Sequence, residues 1–559
     1  MIPNILILFT FYLLIFLSVT GYGVFFGKFF NKDSTSINLG YSGIIGIFFL
    51  VTYSYLSHLF IAHGYFHNLV IIILGFVLFI LNFRSFLENK YFYILILIFT
   101  ILFISLILYK THDDFPYYHF PYTWYLTQKP ALIGVGQFNH GFRTPSSIFY
   151  LNSLFYLPIV QYFTFQIGAV LIMGFANLIL ITKIILRIKE KKTDDILYLS
   201  LLSFIFINVF FYRIQEHGTD RSAQILTFIL FIELLLFINF TKEHESYIPN
   251  ILIILALIIS LKTFYILYLI IFFPIIFILY KENKFYLFFK TLKNKSFYLF
   301  LLLILMILIV NFFNTGCFIY PVASTCIDSV EWSIGSESVA KMNNWYEQWS
   351  KAGAGPNFRV ENPELYIQNF NWVSNWIKFY FFNKVSDFIL GLLLIMIILF
   401  SVFYSKKIRV VKSNKYKFLI YTFIILLFCE WFYNHPALRY GGYSIIALLV
   451  FFPFSSILEK YEISSKKIKT RFFTLMIIIT LIFVSRNFIR ITNEIEQYSY
   501  RPFVDSYYRI DSDHFRIEKK FNKIYNNSEL CAANKKECNK ESSFNIEKFL
   551  NTYIFVRNK

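Results

Sequence analysis

Asp113 and Asp114 stand side by side in a polar break, KTHDDFPYYHFPYTW (residues 110–124), directly after the apolar run Tyr91–Tyr109. Ionisable groups at the edge of hydrocarbon are expensive, so such positions are candidate functional sites. One carboxylate of the pair can take the proton of an attacking hydroxyl, a contribution of roughly 10²–10⁴ in rate. Repulsion between neighbouring carboxylates raises one of the two pKa values toward a useful range. Alternatively, one of them binds a divalent metal through oxygen. Asp113 is the first choice as base and Asp114 its partner or a metal ligand, with His112 and His119 in supporting positions.

Three further breaks, and a second position in the same loop, carry groups that suit an anion. Arg143 lies in NHGFRTPSS of the same loop; EHGTDR holds Glu216, His217, Asp220 and Arg221; Lys262 is alone in SLKTFY; and NHPALRYGGY holds His435, Arg439 and Tyr440. Arginine matches phosphate oxygens with a planar fork, and lysine supplies a point charge for the same anion. Together they would hold a lipid-linked phosphate beside a carboxylate base. Each group also has a plainer role open to it. The Asp pair can be solvated loop charge, Lys262 can snorkel to the interface, and Asp220 can neutralise Arg221 in a structural ion pair. No metal-ligand spacing connects His112, His119 and His435.

The elements that position these groups are apolar helices. Of 559 residues, 57% are hydrophobic, 21% aromatic and only 15% charged, against about 25% charged in soluble chains. The chain is expected to be an all-α polytopic membrane protein. Its net charge of +19 falls largely in short basic loops such as RIKEKK and SKKIRVVKSNKYK, the pattern of the positive-inside rule, which argues against nucleic-acid binding. A ruler of about 20 residues per span gives about fourteen spans, beginning at Ile5–Phe26 with the N-terminus outside. Ile148–Phe165, with Asn152, Pro158 and Gln161, is read as interfacial or re-entrant, because a full span there would invert every later loop. The basic loops then fall on one side and the four polar breaks on the other.

Three regions follow: additional N-terminal helices (1–90), a membrane core (91–485) with outer loops 110–166 and 314–373, and an extracytoplasmic tail (486–559). Two cysteine pairs, Cys317 with Cys326 and Cys531 with Cys538, fall in outer segments where disulfides are permitted. Cys429, inside an apolar run, reads as a small core residue.

HDDFPYYH just after a span, with PALRYGGY in a late outer loop before another, resembles the GT-C superfamily of integral-membrane glycosyltransferases, including mannosyl- and aminoarabinose-transferases. The resemblance covers roughly residues 91–484 and departs in the three spans that precede the acidic loop. It implies transfer of a sugar from a polyprenyl-phosphate donor to an envelope glycan, lipid or protein acceptor, at the outer face of a bacterial inner membrane. Asp113 or Asp114 would be the base, with Arg439 and Tyr440 near the donor phosphate. Metal dependence stays open and no other cofactor is implied. The alternatives are a flippase or transporter of a lipid-linked or anionic solute, or a polysaccharide polymerase or ligase.

Overall fold

The computed structural model describes residues 4–30, 38–240, 244–353, 360–411, 414–504, 508–533, 544–549 and 552–557. Among them, eleven helices are long and apolar enough to cross a membrane, and three shorter apolar helices, Tyr65–Leu81, Phe92–Leu106 and Asp195–Phe210, accompany them. The chain is therefore a polytopic α-helical membrane protein. Among the described residues the strands are confined to one antiparallel hairpin in the tail, Phe544–Phe549 with Thr552–Arg557.

The helix Gly218–Asn239 is the innermost element, with 94% of its apolar window buried. Around it pack Ile167–Lys189, Asp195–Phe210 and His244–Leu261. Ile5–Phe30, Leu39–His58 and Tyr65–Leu81 join the same core rather than forming a separate body: Tyr12 donates to the Phe99 carbonyl at 2.9 Å, and Phe16 stacks on Phe99 at 4.6 Å. Small residues let these helices approach closely; a Cβ on Gly23 would lie 1.7 Å from the Ser42 carbonyl oxygen.

Ile148–Phe165 does not cross. It folds into the buried seven-residue helix Ser147–Ser153, then a turn closed by a bridge between Leu157 and Gln161, before Ile167–Lys189 begins. Polar Asn152 is retained because its Oδ1 accepts the Gly168 amide at 2.9 Å.

The two ends of the bundle differ in chemistry. At one end the basic loops are cross-linked: Lys417 contacts Asp195 and, at 3.5 Å, Glu459, while Arg409 Nε donates to the Glu459 carbonyl at 2.9 Å. Charge inside the bundle is paired as burial demands. Lys183 meets Glu233 at 2.9 Å, and Glu233 is also held by Tyr41 and by Asn250 at 3.2 Å. At the opposite end, the four polar breaks meet.

Two expectations need correction. Cys429 is exposed on the outward face of Tyr416–Asn434, not in the core. The last span does not end at Val484: it continues as Ser465–Tyr498, so a boundary at 486 falls inside a helix. The tail hairpin docks on the acidic loop, where Ile133 and the strand Thr552–Arg557 exchange backbone hydrogen bonds of 3.0 Å. Cys317 and Cys326 form a disulfide at the base of the 314–373 loop. The Cys531–Cys538 expectation lies outside the described residues.

Candidate acid and cation site

The acidic loop is pinned before it reaches the carboxylates. Glu494, from the last long helix, accepts the Tyr109 amide at 2.7 Å and the Lys110 amide at 3.2 Å. Asp114 then immediately precedes a π-turn, Phe115–His119, that runs into the helix Phe120–Gln128. Wide turns of this kind are frequent at functional sites. The Asp114 amide donates to His112 Nδ1 at 3.0 Å, which fixes the imidazole beside the carboxylate.

Asp220 lies in the first turn of Gly218–Asn239, where the helix dipole favours negative charge. Lys262 occupies an extended residue between His244–Leu261 and the 3₁₀ run Thr263–Ile271. Arg439 is presented by a non-helical break before Tyr443–Leu458. That break requires Gly441 at φ +92° and is locked by Trp431 and Trp376, whose indole N–H groups donate to Ala437 and Pro436 carbonyls at 3.0 and 2.9 Å. Gln224, one helical turn beyond Asp220, donates to the Arg439 carbonyl at 3.1 Å.

These four breaks bring two acids and two cations into one line. Lys262 contacts Asp220; Asp220 Oδ2 accepts Arg439 Nε at 3.0 Å; and Arg439 Nη2 reaches Asp114 Oδ2 at 3.2 Å. Tyr118 closes on Asp114 at 3.5 Å. Above the line, Trp349 lies 5.7 Å from the Arg439 guanidinium and 6.1 Å from the Tyr440 ring, while Lys262 sits 4.6 Å from the centre of that same ring. Cations over aromatic faces gain further attraction.

Asp113 does not share this arrangement. It is exposed, whereas Asp114 faces the cations. Burial pushes the Asp114 carboxyl up, but Arg439, His112 and His119 outweigh it and hold it below the usual carboxylate value.

The remaining groups divide. Arg221 is one face removed, sandwiched between Tyr443 at 4.0 Å and Phe211 at 4.6 Å, with Nη1 buried and without a hydrogen-bond partner. Arg143 turns into its own loop, donating to the Gly136 carbonyl at 3.0 Å and to the Tyr320 hydroxyl at 3.4 Å. Glu216 is gripped by Arg213 and Arg490, a structural clamp. His217 packs on His112 at 5.0 Å, and the His435 ring stands 5.9 Å from Tyr440. Among the described residues no group of three or more His, Cys, Asp or Glu side chains is placed to hold a metal ion.

Sequence reading missed Trp349, Gln224 and Glu494. The WYEQW run in the strongly amphipathic helix Ser336–Lys351 was a usable signal for the first. Gln224 and Glu494 carry none, because each acts on a backbone group far away in the chain.

Burial drives three histidines here down: His119 to about 3, His435 to about 4 and, with Arg221 adding to the effect, His217 to about 2. They are neutral when folded, and the unfolded chain binds their protons first as pH falls through about 6.5. Stability is therefore expected to be complete above that pH and to decline between pH 7 and 5, read as a falling melting temperature in detergent. The Asp114 contribution has the same sign but is lost only as pH falls below the ordinary carboxylate value, so it does not enter this window. A flat profile from pH 7 to 5 would contradict neutral burial of these rings.

Fold and site together define a polytopic helical membrane protein with a partly buried chain of alternating acids and cations at one end. The chain belongs to the family described as Domain of unknown function (DUF8201), whose model matches residues 5–446. The match takes in the first three helices and all four polar breaks, and ends before Arg490 and Glu494. No curated protein and no solved structure is significantly similar.

Proposed function

We propose that this protein is a membrane glycosyltransferase that moves a sugar from a polyprenyl-phosphate donor to an acceptor hydroxyl at the outer face of a bacterial inner membrane. The observation that carries the reading is the 3.2 Å contact between Asp114 and Arg439, which joins a carboxylate base and a phosphate-type cation across 325 residues of chain.

The geometry supports a sequence of events. With no donor, Arg439 shares its charge between Asp114 and Asp220, and Asp114 is a poor base. A donor phosphate presents oxygens that compete for Arg439 Nη2 and for Lys262, as charge-assisted partners. Once Arg439 turns to the phosphate, the Asp114 carboxylate loses its strongest counter-charge and becomes a better proton acceptor. The acceptor O–H bond then breaks toward Asp114, the acceptor oxygen bonds to the anomeric carbon, and the C–O electron pair leaves on the phosphate held by Arg439. Trp349 and Tyr440 flank the cations and offer aromatic faces to a sugar ring.

Membranes holding the native protein are expected to transfer labelled sugar from at least one member of a panel of polyprenyl-phosphate donors. Absence of transfer across the panel would contradict the reading. Sidedness is checked separately. With Cys429, Cys531 and Cys538 replaced by Ser as background, Ser338→Cys is expected to react with an impermeant thiol reagent in whole cells, whereas Lys407→Cys reacts only after permeabilisation. Both positions are exposed in the fold, one on each end of the bundle. The reverse pattern would place the site on the cytoplasmic side.

A further inference from the structure

Beside Phe115 and His119, at the two ends of the π-turn that follows Asp114, lies a cavity that the transfer reading does not use. It has a volume of about 30 Å³ and is lined by His119, Asn152, Gln166, Gln215, Glu216 and Thr219 among apolar neighbours. Three of these polar side chains are more than nine-tenths buried and carry atoms with no hydrogen-bond partner: both ends of the Gln166 amide, Gln215 Oε1 and His119 Nε2. A buried amide left empty at both ends costs several kcal/mol in apolar surroundings. Polar cavities with convergent unsatisfied groups hold water, and one water needs roughly 10–15 Å³ of such volume. The size and the donor and acceptor count both fit about two molecules.

The position of His119 gives that water a role. The ring is five residues after Asp114, across the π-turn, and stacks 6.2 Å from the His112 ring, whose Nδ1 lies 3.4 Å from Asp114 Oδ2. Its Nε2 is the atom buried without a partner, and the ring lines the cavity. A neutral imidazole with one nitrogen on the water side can receive a proton at one atom and release it at the other.

We infer that the cavity is a hydrated proton exit, in which His119 passes the proton taken by Asp114 to water held by Gln166 and Gln215. This rests on the glycosyl-transfer reading for its source of protons. The balance is simple. The acceptor hydroxyl loses its proton to the Asp114 carboxylate; Asp114 gives it, by way of the adjoining His112 ring, to His119; and His119 releases a proton from Nε2 to cavity water. Asp114 ends as the carboxylate with which it began, and no oxidant, reductant or metal is consumed. His119 is a relay and Gln166 a positioning residue for the water.

Hydration is read without any enzymatic assay. Synchrotron hydroxyl-radical labelling in H₂¹⁸O is expected to place oxygen on His119 and Phe149, both lining the cavity, in the folded native protein. Gln166→Leu, which removes both amide atoms at similar volume, is expected to lose that label. Absence of label in the native protein means a dry cavity and overturns the inference.

The relay is read in transfer assays. His119→Phe is expected to lower kcat by roughly 10², the lower end of proton-transfer contributions, with KM for the donor unchanged. Gln166→Leu lowers kcat in the same direction, and Gln166→Asn, which keeps an amide, recovers part of the loss. If the cavity is labelled but His119→Phe and Gln166→Leu transfer at the native rate, the relay is wrong while the Asp114 reading stands. If Asp114→Asn also transfers at the native rate, the base assignment falls and the relay with it. Native protein that transfers no sugar from any donor overturns both, and the labelling then decides only whether the cavity is wet.

Discussion

Asp114→Asn is expected to reduce transfer by roughly 10²–10⁴, the full contribution of a general base, while Asp113→Asn stays within a few fold of native. The contrast is the informative part, because the two residues are chemically identical and adjacent. Asp113 is exposed and Asp114 touches Arg439, His112 and Tyr118. An amide at 114 keeps a hydrogen-bond acceptor for Arg439 but cannot take a proton, so donor binding should persist while the chemical step fails. The measurement is kcat and donor KM for both variants in membranes with matched protein levels. Equal loss in the two would mean that the local net charge matters rather than one positioned carboxylate. Loss confined to Asp113→Asn would require the loop to turn over in the working enzyme and would remove the Arg439 contact from the mechanism.

How far this site was legible follows from what each residue depends on. Apolar runs such as Gly218–Asn239 and Lys295–Thr315 announce themselves by length, and a break containing Lys262 or Arg439 is visible because charge interrupts hydrocarbon. Convergence at one end was also readable, since the basic loops claim the other. The choice between Asp113 and Asp114 was not, because it depends on the phase at which the π-turn begins, and adjacent residues differ by a large rotation there. Arg221 illustrates the same limit. It neighbours Asp220, and pairing the two was a natural reading, yet one residue of helix turns the guanidinium away to Tyr443 and Phe211 while Asp220 faces Lys262 and Arg439. The break at Ile148–Phe165 was legible from its polar Asn152, Pro158 and Gln161 taken together with the loop charges that a full span would invert. The tail hairpin against Ile133 was not, because strand addition to a loop leaves no periodic trace.

Asp220→Ala is expected to destabilise the folded protein by about 3–5 kcal/mol, the cost of removing one partner from a buried ion pair. Asp220 is 6% exposed and lies between Lys262 and Arg439, so its loss leaves two cations facing each other at the head of the innermost helix. Thermal unfolding in detergent would show the change, and Lys262→Met in the same chain should restore part of it by removing the unpaired charge. Restoration separates repulsion from simple loss of packing, since a second truncation would otherwise add to the damage. The functional consequence runs through Arg439. With Asp220 absent, nothing orients Nε, and the guanidinium collapses onto Asp114, deepening the ion pair that a donor phosphate must break. The rescued double variant should therefore fold well and bind donor more weakly than Lys262→Met alone, which lacks only its own phosphate contact. Donor affinity equal to that of Lys262→Met would show that Asp220 serves stability alone, and that Arg439 is aimed by the locked backbone of its own loop.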